Sequence, residues 1–395
     1  MNTKLRSFIK LLCIVYLVIF IPEVISEKGK TKQEINNGNR YLTSVENLLK
    51  NKRFFYGLKK YEMALITDLY EFKNINPLLN QGFKIKSLFV LDEKGKFQNQ
   101  QFNEIKNKKI SVFKLDKYKK DFQNSLNNVN AVIFNVRTFG TRNDPIFDIL
   151  LNTMLYALKN DKRVIILDKP NPLSGFIEGS GRIPIQYGLT VAELAKYFNN
   201  YILQKPIKLT VIPMIGWKRG NDKNISSYLY QKNLLDFLSK IEPINKDLDE
   251  TLLKKTLLLP NKSLSMWEMG YLEKICKRLG FYCKNYSYYN KNKKNYLKGF
   301  CLSSRKNLKK FSSFNAMLTL ARFFKNRKKI KFNYLDSFDK ILGSDDAKKF
   351  LNNKISFEDL RVNIQRSLQD FYFKSKKILL YKPYPVVNDV KILKS

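Results

Sequence analysis

The sequence predicts an α/β fold, with a Rossmann-like parallel-sheet N-terminal domain followed by a smaller C-terminal α/β domain. Two observations predict the first domain. Short β-branched or aromatic runs alternate with stretches of helical period, which is how strand–helix–strand units read. Several of those runs are apolar on both faces, as central strands of a helix-covered parallel sheet are. A third, the mixed strand and helix signals beyond residue 256, predicts the smaller domain.

The strand candidates of the first domain are residues 63–67, 85–91, 110–115, 131–136, 164–168 and 209–214. Between the fourth and fifth, residues 145–158 carry apolar side chains at helical spacing. A second helix is predicted to start at Thr190-Val-Ala-Glu193, where Thr and Glu fit a capping box ahead of the apolar stretch 191–198. Residues 220–253 are polar with mixed helical character. Beyond them, 267–280 and 315–324 read as helices, and Ser356-Phe-Glu-Asp359 starts another that runs to about 374. Residues 299–303 and 378–381 read as short strands, and the tract 282–298 is rich in Tyr, Asn and Lys. The expected divisions are a signal peptide at 1–26, a flexible leader at 27–38, the Rossmann-like domain at 39–225, a linker at 226–256 and the C-terminal domain at 257–395.

Composition narrows the chemistry. Histidine is absent, which excludes a His-based triad, an imidazole base and a His-ligated metal. Acid–base work near neutral pH then falls to carboxylates, Tyr, Lys or Cys. No GxGxxG follows a strand and no Walker motif exists, so no nucleotide and no cofactor is implied. Beyond the leader, Cys276, Cys283 and Cys301 match no zinc spacing and read as small buried hydrophobes. Lys and Arg number 73 against 34 Asp and Glu, a formal charge of +39. That balance favours nucleic acid, anionic lipid or an acidic wall polymer. Yet Lys, Asn, Ile, Phe and Tyr are all abundant and the lysines are spread along the chain, so no specific nucleic acid is implied and charge alone names no partner.

At the N-terminus, Lys4, Arg6 and Lys10 precede an apolar run over residues 11–21, and Val24-Ile-Ser26 offers a cleavage site. The run is short for a bilayer span, which needs about 20 residues. It therefore reads as an export signal, with an uncleaved anchor as the alternative. The mature protein is expected to be exported, periplasmic or associated with the cell envelope.

One stretch carries a resemblance. Val164-Ile-Ile-Leu-Asp-Lys-Pro-Asn-Pro-Leu-Ser-Gly175, then Ile177-Glu-Gly179, is similar to the strand ending in Asp-Arg-Pro-Asn-Pro, with Glu-Gly after it, of the bacterial exo-β-N-acetylmuramidases. Ile183-Pro-Ile-Gln-Tyr-Gly-Leu-Thr-Val-Ala-Glu-Leu-Ala195 resembles their Pro-x-Arg-His-Gly-Met-Thr-x-Gly-Glu-Leu, and Leu209-Thr-Val-Ile-Pro-Met-Ile-Gly-Trp217 their Val-x-Pro-Met-x-Gly-Trp strand. Phe338-Asp-Lys-Ile-Leu-Gly-Ser344 and Leu379-Leu-Tyr381 fit more loosely. The resemblance implies a sugar cleft between two domains and removal of terminal N-acetylmuramic acid from peptidoglycan fragments. Muramyl sugars would then be the partners, and one carboxylic acid would protonate the leaving oxygen while a second group assists water.

By resemblance, Glu93 falls on the glutamate of a Pro-Glu-His-Gly turn, here Asp92-Glu-Lys-Gly95, and is the catalytic candidate. Lys94 replaces the His, and an adjacent lysine favours the ionised carboxylate. Where the family has Asp-Ile-Gln-Asp-Val-Gly-Ala-Arg-Phe-Tyr, this chain has Asn135-Val-Arg-Thr-Phe-Gly-Thr-Arg-Asn-Asp144. Gly140 and Arg142 stay while both acids and the aromatic pair go. The Arg-His before Gly has become Gln186-Tyr187. Substrate-binding candidates are Asp168 and Asn171 at a strand's C-terminal end, nearby Glu178, and Arg142 as partner for the lactyl carboxylate. Each also has a plain structural alternative, as a turn cap or an internal ion pair. Two readings stay open: an exo-muramidase with an altered site, and a non-catalytic exported relative that binds peptidoglycan or another protein. A third, a polyanion binder held electrostatically at an anionic membrane surface, rests on charge and leader retention alone.

Overall fold

The computed structural model describes residues 41–72, 75–91, 110–114, 126, 128–219, 241–242, 257–260, 265–290, 295–304, 312–327, 333–334, 338–389 and 391. The predicted signal peptide and leader, Glu93, and most of the predicted linker lie outside the described residues.

Among the described residues, seven strands fall in the first half: β1 (Glu62–Asp68), β2 (Lys84–Leu91), β3 (Ser111–Lys114), β4 (Ala131–Asn135), β5 (Arg163–Leu167), the two-residue β6 (Phe176–Ile177) and β7 (Lys208–Ile212). Six of them form one parallel sheet in the order β3-β2-β1-β4-β5-β7. This is the doubly wound order expected of a Rossmann-like domain, and each of the six predicted runs is one of its strands. The strands read as unbroken apolar runs because successive residues enter two different cores. Ala64, Ile66, Val132, Phe134, Val164 and Ile166 face one cluster, and Met63, Leu65, Ala131, Ile133, Ile165 and Leu167 face the other.

Helices cover both faces. On one side α1 (Ser44–Lys50) and α2 (Lys52–Lys59) supply Val45, Leu48 and Leu58 to the smaller cluster. Two short helices, α3 (Leu69–Phe72) and α4 (Asn76–Asn80), follow β1. On the other side lies α5 (Pro145–Lys159), which Asp144 caps and Pro145 starts, a position where the missing N–H costs nothing. With it lies α6 (Val191–Tyr197), whose Thr190–Glu193 capping box forms as the sequence predicts. One wide turn, Phe198–Ile202, extends α6.

The C-terminal half adds α7 (Met266–Arg278), α8 (Ser313–Lys325), α9 (Phe338–Leu342), α10 (Asp346–Leu351) and α11 (Phe357–Lys376), the last opened by the expected Ser356 cap. A second, antiparallel sheet of three strands, in the order β10-β11-β9, consists of β9 (Leu257–Pro260), β10 (Phe281–Asn290) and β11 (Asn295–Ser304). Within the predicted linker, β8 (Ile241–Glu242) pairs with β12 (Asn333–Tyr334). The chain closes with β13 (Val386–Val387), parallel to β6.

Leu42–Ser395 forms one compact unit, and the larger core cluster runs through both of its halves, from Ala64 to Ile378. Phe314, Met317, Phe323 and Phe324 of α8 are fully buried there, each contributing about 1.5–3 kcal/mol of burial. The Tyr-, Asn- and Lys-rich tract, to which the sequence assigns no element, supplies most of β10 and the start of β11, consistent with the strand preference of Tyr. One local expectation changes. Residues 378–381 are not a strand: the backbone N–H groups of Leu380 and Tyr381 donate to the buried carboxylate of Glu193 instead of to a ladder.

Candidate functional site

In an open parallel sheet, ligands bind outside the C-terminal strand ends where the strand order reverses. Here that point lies between β1 and β4, because the chain builds outward from β1 through β2 and β3 and then returns to β4. The residue that ends β1 is Asp68. Its Oδ1 accepts from the N–H groups of Tyr70 (2.8 Å) and Glu71 (2.9 Å), starting α3, and its Oδ2 accepts from the N–H of Arg137 just past β4 (2.8 Å). One carboxylate thus fastens the two strand ends together.

Around it sit three more charged groups. The Arg137 guanidinium lies 4.0 Å over the Tyr70 ring, and its Nε is 3.7 Å from Asp68 Oδ2 and 3.8 Å from Glu71 Oε1. From the end of β5, Lys169 Nζ reaches Glu71 Oε2 at 2.6 Å. Lys169 and Glu71 are buried, whereas the Arg137 side chain is 42% exposed and Tyr70 is 71% exposed. The register sets Leu91 of β2 opposite Asp68. Glu93 follows two residues later in the chain, outside the described residues.

The other predicted site residues have protein partners. Asp168 is fully buried, with Oδ2 accepting from the Tyr381 hydroxyl (2.6 Å) and Thr190 Oγ1 (3.0 Å), and Oδ1 from the N–H groups of Ala192 and Lys169. Burial pushes its carboxyl up to about 7, against the pull of the Tyr381 hydrogen bond. Asn171 is also fully buried and spans the Leu189 carbonyl and the Leu173 N–H, both at 2.7 Å. Glu178 accepts from the N–H of Phe314 in the first turn of α8. The Arg142 guanidinium donates to the carbonyls of Ile183 (2.6 Å) and Ser180 (3.2 Å), and burial lowers it to about 10.

Two glycines are explained by these side chains. Gly140 and Gly343 both have φ +83°, and a Cβ would collide with the Asn171 amide at the first and the Arg142 guanidinium at the second. With Ser180 Oγ donating to the Leu342 carbonyl, the quoted words pack against one another. Arg142, Asp168 and Glu178 therefore form a seam joining the two halves of the chain through Gly343, Tyr381 and Phe314, and Asn171 braces the first half behind it. Asp168 and Asn171 bond turn and helix-start N–H groups, as in the capping alternative, while Arg142, among the described residues, bonds carbonyls instead of the carboxylate its alternative foresaw.

The altered positions are internal as well. Thr138 Oγ1 donates to Asp144 Oδ2 (3.0 Å) and shares a 2.8 Å hydrogen bond with the hydroxyl of Tyr187, which is fully buried and has its pKa raised by that burial. Gln186 Nε2 donates to the carbonyls of Leu173 and Phe176. Asn135, at the end of β4, donates to Thr67 Oγ1 at 3.4 Å, and its buried Oδ1 accepts nothing among the described residues. Sequence reasoning missed Asp68, Tyr70, Glu71, Arg137 and Lys169. The available signal was their place at or just after three predicted strands. Among the described residues, no cluster of three or more acids and cysteines is arranged to hold a metal, and no helix is long and apolar enough to cross a membrane.

Comparison with known proteins gives consistent matches. Residues 71–233 match the family model described as exo-beta-N-acetylmuramidase NamZ, N-terminal, and residues 276–381 match its C-terminal counterpart. The chain is 25% identical over 324 residues to the peptidoglycan beta-N-acetylmuramidase NamZ of Bacillus subtilis, covering 69% of this chain and 72% of that one. Two crystal structures of DUF1343 family proteins from Bacteroides fragilis share the fold. One has a TM-score of 0.66 at 20% identity, covering 87% of this chain and 100% of the other. The second has a TM-score of 0.59 at 16% identity, covering 87% and 99%.

Proposed function

Since this chain belongs to the exo-β-N-acetylmuramidase NamZ family, we propose that it takes the non-reducing-end N-acetylmuramic acid of peptidoglycan fragments at the C-terminal edge of its parallel sheet and hydrolyses the glycosidic bond. The observation that carries this reading is the charged group of Asp68, Glu71, Arg137 and Lys169 at the switch point, beside the strand that leads into Glu93. Glycoside hydrolysis passes through an oxocarbenium-like transition state that needs proton donation and nearby negative charge. Glu93 is the catalytic carboxylate in this reading, and Asp68 at the end of the neighbouring strand and Glu71 in the helix after it add to the local field. Arg142, Asp168 and Glu178 serve as positioning residues, holding the sheet edge against the C-terminal half, and Asn171 fixes the turn between them.

The test is release of the terminal sugar from a chromogenic β-N-acetylmuramide by the wild-type protein and by Glu93→Gln. Turnover that falls at least about a hundredfold in the variant supports the assignment, a loss in the range typical of general acid–base catalysis. Turnover equal in both proteins would remove Glu93 from the mechanism.

A second reading, a non-catalytic relative that binds peptidoglycan or another protein, is favoured by a specific observation. Where the resembling words carry two acids and an Arg-His pair, Asn135, Thr138, Gln186 and Tyr187 are buried and bonded internally. No turnover by folded wild-type protein, with retention on purified peptidoglycan, would select it. Export to the periplasm or envelope through residues 1–26 belongs to both readings, as does electrostatic association with an anionic membrane. Cell fractionation at low and high salt checks both, since such association weakens as salt rises.

A further inference from the structure

We propose that Arg137, stacked on Tyr70, is the specificity-determining residue that pairs with the carboxylate of the substrate's lactyl group. This rests on the reading that the switch point is the sugar site. Three features lead to it.

First, among the described residues its side chain has only long ion-pair contacts with carboxylates. Among the described residues the Arg137 guanidinium makes no hydrogen bond, because its approaches to Asp68 and Glu71 are 3.7 and 3.8 Å. The Arg142 guanidinium, by contrast, is spent on two backbone carbonyls. Second, the nearby carboxylates have other partners. Asp68 accepts three backbone N–H groups, and Glu71 is held by Lys169 at 2.6 Å. Arg137 is the half-exposed cation of the group. Third, it is held in place before any ligand arrives. Its own N–H is fixed on Asp68 at 2.8 Å, and Tyr70 supports the guanidinium plane at 4.0 Å.

A planar guanidinium held on an aromatic face presents two parallel N–H donors, the geometry that matches a carboxylate. N-acetylmuramic acid differs from N-acetylglucosamine by an ether-linked lactate, so this contact would distinguish the two sugars. A charge-assisted pair of this kind corresponds to a preference of about tenfold or more.

The experiment is calorimetric titration of the full chain with N-acetylmuramic acid and, separately, with N-acetylglucosamine. It compares wild type, Arg137→Gln and Arg137→Lys, with near-ultraviolet circular dichroism as the check on folding. The expected result is a wild-type preference for N-acetylmuramic acid of about tenfold or more that drops to near unity in Arg137→Gln. Arg137→Lys keeps the charge without the planar fork and recovers part of the preference. A preference kept in folded Arg137→Gln overturns the assignment. Wild type that binds both sugars equally also overturns it while leaving the sugar site standing. Wild type that binds neither sugar overturns the sugar site and the anchor together.

Discussion

Replacing Glu193 by Gln is the sharpest test of how the two halves are joined. Glu193 is fully buried, and both its oxygens lie 2.7 Å from Arg219 Nη2. Oε1 also accepts from the N–H groups of Leu380 and Tyr381, and Oε2 from that of Thr190. Arg219 is equally enclosed and donates onward to the carbonyls of Pro383 and Gly188. Gln keeps the shape but removes the charge, and its NH2 must face a donor. Breaking a buried pair from one side costs about 3–5 kcal/mol, a large share of the roughly 5–15 kcal/mol that holds a domain folded. The expected melting temperature falls by at least about 5 °C. Tryptophan fluorescence during urea unfolding is the assay. Trp217 is buried 4.9 Å from the Tyr381 ring, so it reports on this seam. Arg361→Ala is the control, since its bridge to Glu358 is exposed at both ends and such bridges contribute about 0–1 kcal/mol. A loss below about 1 kcal/mol in Glu193→Gln would show that the buried pair is replaceable and refute the reasoning.

Two further substitutions probe the same seam. Burial lifts the Asp168 carboxyl to about 7, against about 3.9 when unfolded. Between those values the folded state holds a proton that the unfolded state releases. This group's contribution therefore falls as pH rises from about 4 to 7 and is flat above, by at most about 4 kcal/mol. Asp168→Asn should flatten that part of a melting-temperature profile, and an unchanged slope would assign the titration elsewhere. Gly343→Ala places a methyl group on the Arg142 guanidinium at φ +83° and should cost about 2 kcal/mol or more. The matched Gly57→Ala, inside α2 with nothing within 4 Å of the new Cβ, should stabilise by about 0.5–1 kcal/mol. Equal denaturation midpoints for the two would count against the seam.

Legibility in the sequence followed the range of the interactions. All six strands of the main sheet were readable because burial on both faces leaves long β-branched runs such as Val164-Ile-Ile-Leu167. The helix at 145–159 was readable from its apolar spacing, and those at 191–197 and 357–376 announced themselves through caps at Thr190 and Ser356. By contrast, the short α3, α4, α9 and α10 hold too few turns to show a period. Residues 378–381 look like a strand because apolar content is all that a local window shows, and their partner Glu193 lies nearly 190 residues away. The same distance hid the roles of the site candidates. Asp168 was found from its strand end, but Tyr381 is 213 positions off and Phe314 is 136 from Glu178. Asp68 and Arg137 stood at strand ends in plain view, and only the strand order marks theirs as the ends that matter.

The interior of this chain and the rim of its sheet are under different physical constraints. The Asp168–Asn171 word, Gly140, Arg142, the Thr190–Glu193 box and Gly343 are bound to one another across the seam. A change at any of them meets a buried hydrogen bond or a glycine with no room for Cβ, so folding alone is enough to hold them. The rim of the sheet is under no such constraint. Tyr70 and Arg137 are exposed, and they rest on each other. Substitution there leaves both cores untouched while resetting which charges a ligand meets. A chain can on these grounds keep its family's fold in full and still select a different sugar, or none. Chemistry at the ends of β1, β2 and β4 decides between those outcomes, and the retained words do not.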